Sequence, residues 1–243
     1  MDLATFAAQH GGLALAIRRH FQSRKVRELD GFVDKTTAKV LRLARHLDDA
    51  QQGLSVEGEK NAFRQGQRLV EIGLIPGAIA TGTDDRNLDG GLATAEGIFA
   101  ASGPNVPVMR SPGITYPYYG DTRKARDLLG KYGDAAAARH LSGLFPETRG
   151  LWVESVAAFE ARLMGAVDSI AQRGSEFGDE FELWDLNYEQ MVLLRHRLII
   201  GSPLSEIDLE TLEPLHGAGI AIAKDGTIAE FTSDLEVGSS VQS

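Results

Sequence analysis

The 243-residue chain contains no cysteine. That excludes a disulfide framework, a thiolate nucleophile and any cysteine-ligated metal, and it fits a reducing compartment. Positive charge is in deficit: 25 Lys and Arg stand against 34 Asp and Glu, a formal net charge of −9 with a pI near 5.2. A general nucleic-acid binder needs clustered basic residues, so no nucleic-acid partner is expected, whereas a small phosphorylated ligand needs only a local group of arginines. No apolar run reaches the roughly 18 residues of a membrane helix. Met1-Asp2-Leu3-Ala4-Thr5-Phe6 has neither the basic nor the apolar segment of a secretion signal. The expectation is a cytoplasmic protein without a membrane partner, long enough to build its core from burial alone.

Against these absences the central feature is Lys39-Val40-Leu41-Arg42-Leu43-Ala44-Arg45-His46, read as a short apolar strand that delivers an Arg-His pair to a turn. A helix is the competing reading, because apolar side chains between Asp34 and Ala44 also recur three and four apart. After a polar loop containing Gln52, Ser55 is placed to cap a helix over 57–73. Ala62, Phe63, Gly66, Leu69, Val70 and Gly73 share one face of it, and Glu59, Lys60, Arg64, Gln67, Arg68 and Glu71 the other. Ala78-Ile79-Ala80-Thr81 reads as the next strand, Gly82 to Gly91 as a long turn-rich loop, and 94–102 as the next helix. Residues 104–110 predict a short edge strand, since proline cannot donate to a sheet ladder. The aromatic segment 111–121 reads equally as a packed loop or as a pocket wall. Residues 122–142 and 151–173 predict helices. Glu189 to His196 repeats the opening pattern, an apolar run ending in Arg-His. Gly219 to Phe231 reads as a hairpin turning at Asp225-Gly226. Residues 2–28 read as an added N-terminal helix broken near Gly11-Gly12.

The fold expected is therefore α/β, three layers with a mainly parallel central sheet, because alternating strands and helices feed crossover connections. The boundaries expected are an N-terminal helical extension at 1–30, one domain at 31–235 with a helical insertion at about 111–175, and a disordered tail at 236–243.

The residues Arg45-His46-Leu47, Leu54-Ser55-Val56-Glu57-Gly58, Thr81-Gly82, Arg86 and Thr94-Ala95-Glu96 occur in an order that resembles the histidine phosphatase superfamily, the phosphoglycerate mutase-like enzymes. In that family a strand ends in Arg-His-Gly, and a helix start, a strand ending in Ser-Pro, a phosphate-binding Arg and a Thr-Ala-Glu helix follow. The resemblance covers about residues 38–102 best. It implies a phosphatase that hydrolyses a small phosphomonoester through a phosphohistidine on His46, with no cofactor and no metal. Arg45 and Arg86 would clamp the phosphate, Gln52 would add a polar contact, and His196 would be the second pocket histidine, with His216 as its competitor. The chemistry suits these residue types: a neutral imidazole attacks phosphorus in line, and the planar fork of arginine holds phosphate oxygens bidentately at constant charge. Asp48 and Asp121 are both candidates for the general acid.

The pair Arg-His occurs four times, at Arg19-His20, Arg45-His46, Arg139-His140 and Arg195-His196. The first is read as a basic helix end and the third as a solvated helix face. The chain also departs from the family. Leu47 replaces the Gly after the histidine, and Thr81-Gly82 replaces Ser-Pro. Gly90 stands four residues before Thr94, where the family places its second Arg, and Arg195 and Arg197 flank His196. These departures support the alternative of a catalytically impaired member that binds a phosphorylated ligand or a partner protein.

Overall fold

The computed structural model describes residues 1–19, 54–115, 117, 120–132, 139–141, 145–173, 181–201, 219–232 and 234–241. In chain order the elements are α1 (Leu3–Gln9), β1 (Leu13–Arg19), α2 (Val56–Glu71), β2 (Ala78–Thr81), α3 (Asp85–Ser102), β3 (Val108–Arg110), α4 (Thr122–Tyr132), α5 (Val156–Arg173), β4 (Glu182–Leu186), α6 (Tyr188–Arg195), β5 (Gly219–Ala223), β6 (Ile228–Phe231) and β7 (Val237–Val241). The strands form one sheet in the order β3-β2-β4-β1-β5-β6-β7. Its first four strands are parallel neighbours, and β5, β6 and β7 are added antiparallel. The sheet is thus mixed, and its parallel half carries the helical crossovers.

The alternation of side chains along each strand separates two cores. Leu15, Ile17, Ala80, Trp184, Ile220 and Ile222 face a layer that includes Phe159, Leu163, Val167 and Ile170 of α5 and Met191 to Leu194 of α6. Their neighbours Ala16, Ile79, Leu183 and Ala221 face the other way, against Leu3 and Phe6 of α1, Leu69 of α2 and Ala95 and Ile98 of α3. This is the expected three-layer arrangement.

Local chemistry sets the ends of the helices. Ser55 accepts a hydrogen bond from Gly58 N at 3.0 Å, and Glu57 and Glu59 favour the positive end of α2. Asp84 caps α3 in the same way, and α3 stops where Gly103 turns left-handed at φ 86°. The hairpin and the edge position of β3 are as expected. So are α2, β2 and a helix through 94–102.

Four expectations are corrected. Residues 2–28 are not one helix. The glycine pair, at φ 76° and 94°, ends α1, and β1 then enters the middle of the sheet, so the N-terminal segment is part of the core rather than an extension. Most of Gly82 to Gly91 is the first turns of α3. Glu189 to His196 is helical, not a strand, with Tyr188–Arg195 forming α6 and His196–Ile200 a π turn. Residues 237–241 form β7 on β6, not a disordered tail. The strand expected at 38–46 lies outside the described residues. No helix among the described residues is long and apolar enough to cross a membrane.

Candidate functional site

Four parallel strands end side by side, and register places Arg18, Asp185, Thr81 and Arg110 in one row across β1, β4, β2 and β3. Arg18 shares the strand face of Ala16, so it points toward α3, where Nη1 meets Thr94 Oγ1 at 3.5 Å. Arg18, Asp185 and Thr81 are buried. Burial pushes the Arg18 pKa down and the Asp185 carboxylate opposes that shift. Arg110, at the exposed end of the row, pairs with Asp85 at 3.2 Å.

Beyond β2 the chain turns into α3 over a few polar atoms. Asp84 Oδ1 accepts from Asn87 N at 3.0 Å, while Asp84 Oδ2 and both polar atoms of the Asn87 side chain are buried without a hydrogen-bond partner. The turn is tight around Gly82: a Cβ there would stand 2.8 Å from Asp84 Oδ2 and 3.2 Å from both Asn87 Nδ2 and Ile114 O. Burial pushes the Asp84 carboxyl up, against the lowering effects of the Asn87 N–H and of Arg86. A carboxyl with a raised folded-state pKa favours folding when protonated, so its penalty is absent at low pH and grows as pH rises through that pKa. Asp84→Asn keeps a good cap and removes the charge. It is expected to raise the melting temperature relative to wild type at pH 8, with the gain shrinking to nothing toward pH 3.

The far rim is pinned from α5. Arg162 Nη1 donates to the carbonyls of Pro112, Gly113 and Thr115, each at 3.0 Å, and Arg162 also pairs with Glu154. Gln190 joins the same turn to the end of β4: its Oε1 accepts from Asn187 N and its Nε2 donates to Ile114 O, both at 2.7 Å. Arg162→Met strips charge-assisted bonds from three carbonyls and is expected to cost about 2 kcal/mol in urea unfolding. Amide exchange should accelerate at residues 113–115.

Of the residues singled out in the sequence, Arg45, His46 and Gln52 lie outside the described residues, as do Asp48 and His216. Arg86 sits in the first turn of α3, at the carboxyl edge of the sheet and within electrostatic range of Asp84. His196 is buried after the last residue of α6, eight residues beyond Tyr188 or about 12 Å along the axis. Its surroundings are locked by Arg195–Glu230 and Arg197–Glu160 ion pairs. It therefore does not follow a strand, which was the reason for pairing it with the edge. Asp121 caps α4, accepting from Arg123 N and Lys124 N at 2.9 and 3.0 Å.

Two features escaped sequence reading. One is the buried row of Arg18 and Asp185. The other is Arg19-His20: Arg19 is the last residue of the interior strand β1, opposite Leu186 at the end of β4, and His20 follows it in the chain, outside the described residues. Dipeptide composition could not separate it from the other three Arg-His pairs, but its place after an apolar run is a signal.

No family model matches this sequence, and no curated protein matches it. Solved structures do. Phosphoglycerate mutase from Bacillus anthracis superposes with a TM-score of 0.50 at 12% identity, over 94% of this chain and 92% of that one. A mycobacterial glucosyl-3-phosphoglycerate phosphatase, in complex with inorganic phosphate, superposes with a TM-score of 0.52 at 16% identity, over 93% and 95%. The chain has the histidine phosphatase fold. In that fold the late strand is β4, and what stands at its end is Asp185, Leu186 and Asn187, with no imidazole among them. At the helix position of the second arginine, α3 has Gly90.

Proposed function

We propose that this protein is a phosphoryl-transfer enzyme acting on a small phosphomonoester at the carboxyl edge of its parallel strands, with Arg19-His20 as the reacting pair. The observation that carries the reading is that β1, inside the sheet, ends at Arg19 with His20 next in the chain. The shared fold and the phosphate held by one structural neighbour support it. In the reaction the imidazole attacks phosphorus, a P–N bond forms as the ester P–O bond breaks, and the leaving oxygen takes a proton from a general acid. Water then attacks the phosphohistidine, releasing phosphate and restoring the imidazole. Arg19 and Arg86 are assigned to the phosphoryl oxygens, where charge is redistributed in the transition state. Arg45-His46 is the competing pair.

Gly90 and the missing imidazole after β4 favour a second reading, in which the site binds phosphate without turning it over. Hydrolysis of an aryl phosphate by the purified chain, without added divalent metal, separates the two. Turnover supports the enzyme. Its absence, together with a phosphate-dependent rise in melting temperature, supports the binding protein.

A further inference from the structure

Arg18 is a costly residue to bury. A guanidinium has five N–H donors. Among the described residues Arg18 directs one of them to an acceptor, Thr94 Oγ1 at the long distance of 3.5 Å, and its Nε is buried without a partner. Asp185 balances the charge electrostatically. Buried donors left unmet are rare enough to require a cause, and a buried charge more so.

The helix above Arg18 shows what it faces. Asn87, Gly90, Gly91 and Thr94 are spaced three and four apart, and all lie on the buried stripe of α3. Thr94 touches Arg18 at one end of that stripe. At the other end, seven residues or about 10 Å away, Asn87 is 0% exposed and neither atom of its side-chain amide has a partner. Between them Gly90 carries no side chain.

We propose that Arg18 and Asn87 form the phosphate seat of this protein, with the anion lying over Gly90. Arg18 supplies from β1 the positive charge that the helix lacks at Gly90, and Asn87 Nδ2 supplies a second donor from the first turn of α3. Asp185 is then a positioning residue, holding the guanidinium between β1 and α3 when the seat is empty. The inference rests on the phosphoryl reading and names the group that holds the phosphate.

The test is titration of the full chain with inorganic phosphate, followed by calorimetry, alongside aryl phosphate turnover. Arg18→Met with Asp185→Leu removes the buried pair together, which avoids stranding one charge. Its phosphate affinity is expected to fall roughly ten- to a hundredfold, the usual weight of a charge-assisted hydrogen bond, with circular dichroism unchanged. Should that variant not fold, Arg18→Lys serves: it keeps the charge, loses the fork, and is expected to weaken phosphate severalfold. Asn87→Leu is expected to weaken it as well. Wild-type affinity in a folded Arg18 variant overturns the seat and leaves the phosphoryl reading standing. A wild type that neither binds phosphate nor turns over the ester overturns both.

Discussion

Gly97→Ala is expected to destabilise the fold by about 2 kcal/mol, whereas Gly165→Ala, also inside a helix, is expected to stabilise it by about 1 kcal/mol. The opposite signs come from what surrounds each glycine. A Cβ on Gly97 would lie 2.0 Å from the backbone oxygen of Phe63 in α2, and reciprocally a Cβ on Gly66 would lie 2.1 Å from Thr94 O in α3. Ordinary contact begins at 3.4 Å. The obstacles are main-chain atoms of helices that are themselves packed on the sheet, so neither can swing aside as a side-chain tip would. Overpacking of this kind typically costs about 3 kcal/mol, against which alanine's helix propensity returns about 1 kcal/mol. Gly165 in α5 has nothing within 4 Å of its would-be Cβ, so only the propensity is felt. Urea unfolding of the two variants measures both signs at once. A stabilised Gly97→Ala would mean that α2 and α3 do not cross this closely.

The close crossing also explains which parts of the fold the sequence displayed. Helix α2 is amphipathic, with one face on α3 and the sheet and one in water, and the Asp225-Gly226 turn is a local signal that needs no partner. Strand β1 has neither advantage. Leu15 and Ile17 are buried on one side and Ala16 on the other, so no apolar-polar alternation exists to be read, and Leu-Ala repeats favour a helical reading. Helix α6 is opaque for the same reason: Met191 to Leu194 are all buried, and a continuous apolar run fits strand and helix alike. The start of α3 misleads by composition. Its Asp, Asn and Gly residues look like a loop, yet Asp84 is a cap and Gly91 lets the helix settle on β2, where a Cβ would sit 2.6 Å from Thr81 Cγ2. Strand β7 has little apolar character, and its pairing to β6 through the main chain leaves almost no trace in side chains.

At the site, strand β2 and the helix through Thr94 were legible, while the strand and Arg-His pair expected before them lie outside the described residues. The row of Arg18 and Asp185 was not, since it joins residues 167 positions apart that meet only through the pairing of β1 with β4. The same pairing is the reason for proposing Arg19-His20 rather than Arg45-His46. An imidazole at the carboxyl edge of the sheet has to follow a strand that is inside the sheet, and β1 meets that condition.

The largest effect on activity is accordingly expected at His20. In wild type, labelled phosphate from a phosphomonoester should be trapped on the protein in a form that survives alkali and is released by acid, the behaviour of a phosphoramidate. His20→Ala should abolish both the trapped label and turnover, because it removes the imidazole proposed to accept the phosphoryl group. His46→Ala should retain both. Arg19→Ala should still bind substrate but turn over about a hundredfold more slowly, since losing one preorganised charge-assisted contact to transition-state charge typically costs about 3 kcal/mol. The assignment depends on the difference between the two histidine variants rather than on either alone, which guards against a loss caused by misfolding. Label lost in His46→Ala and kept in His20→Ala would move the reacting pair to Arg45-His46. Label and turnover that persist in both variants would exclude both His20 and His46 as the acceptor. The result expected is loss at His20 alone, because that residue follows the strand whose last position, Arg19, stands beside the end of β4.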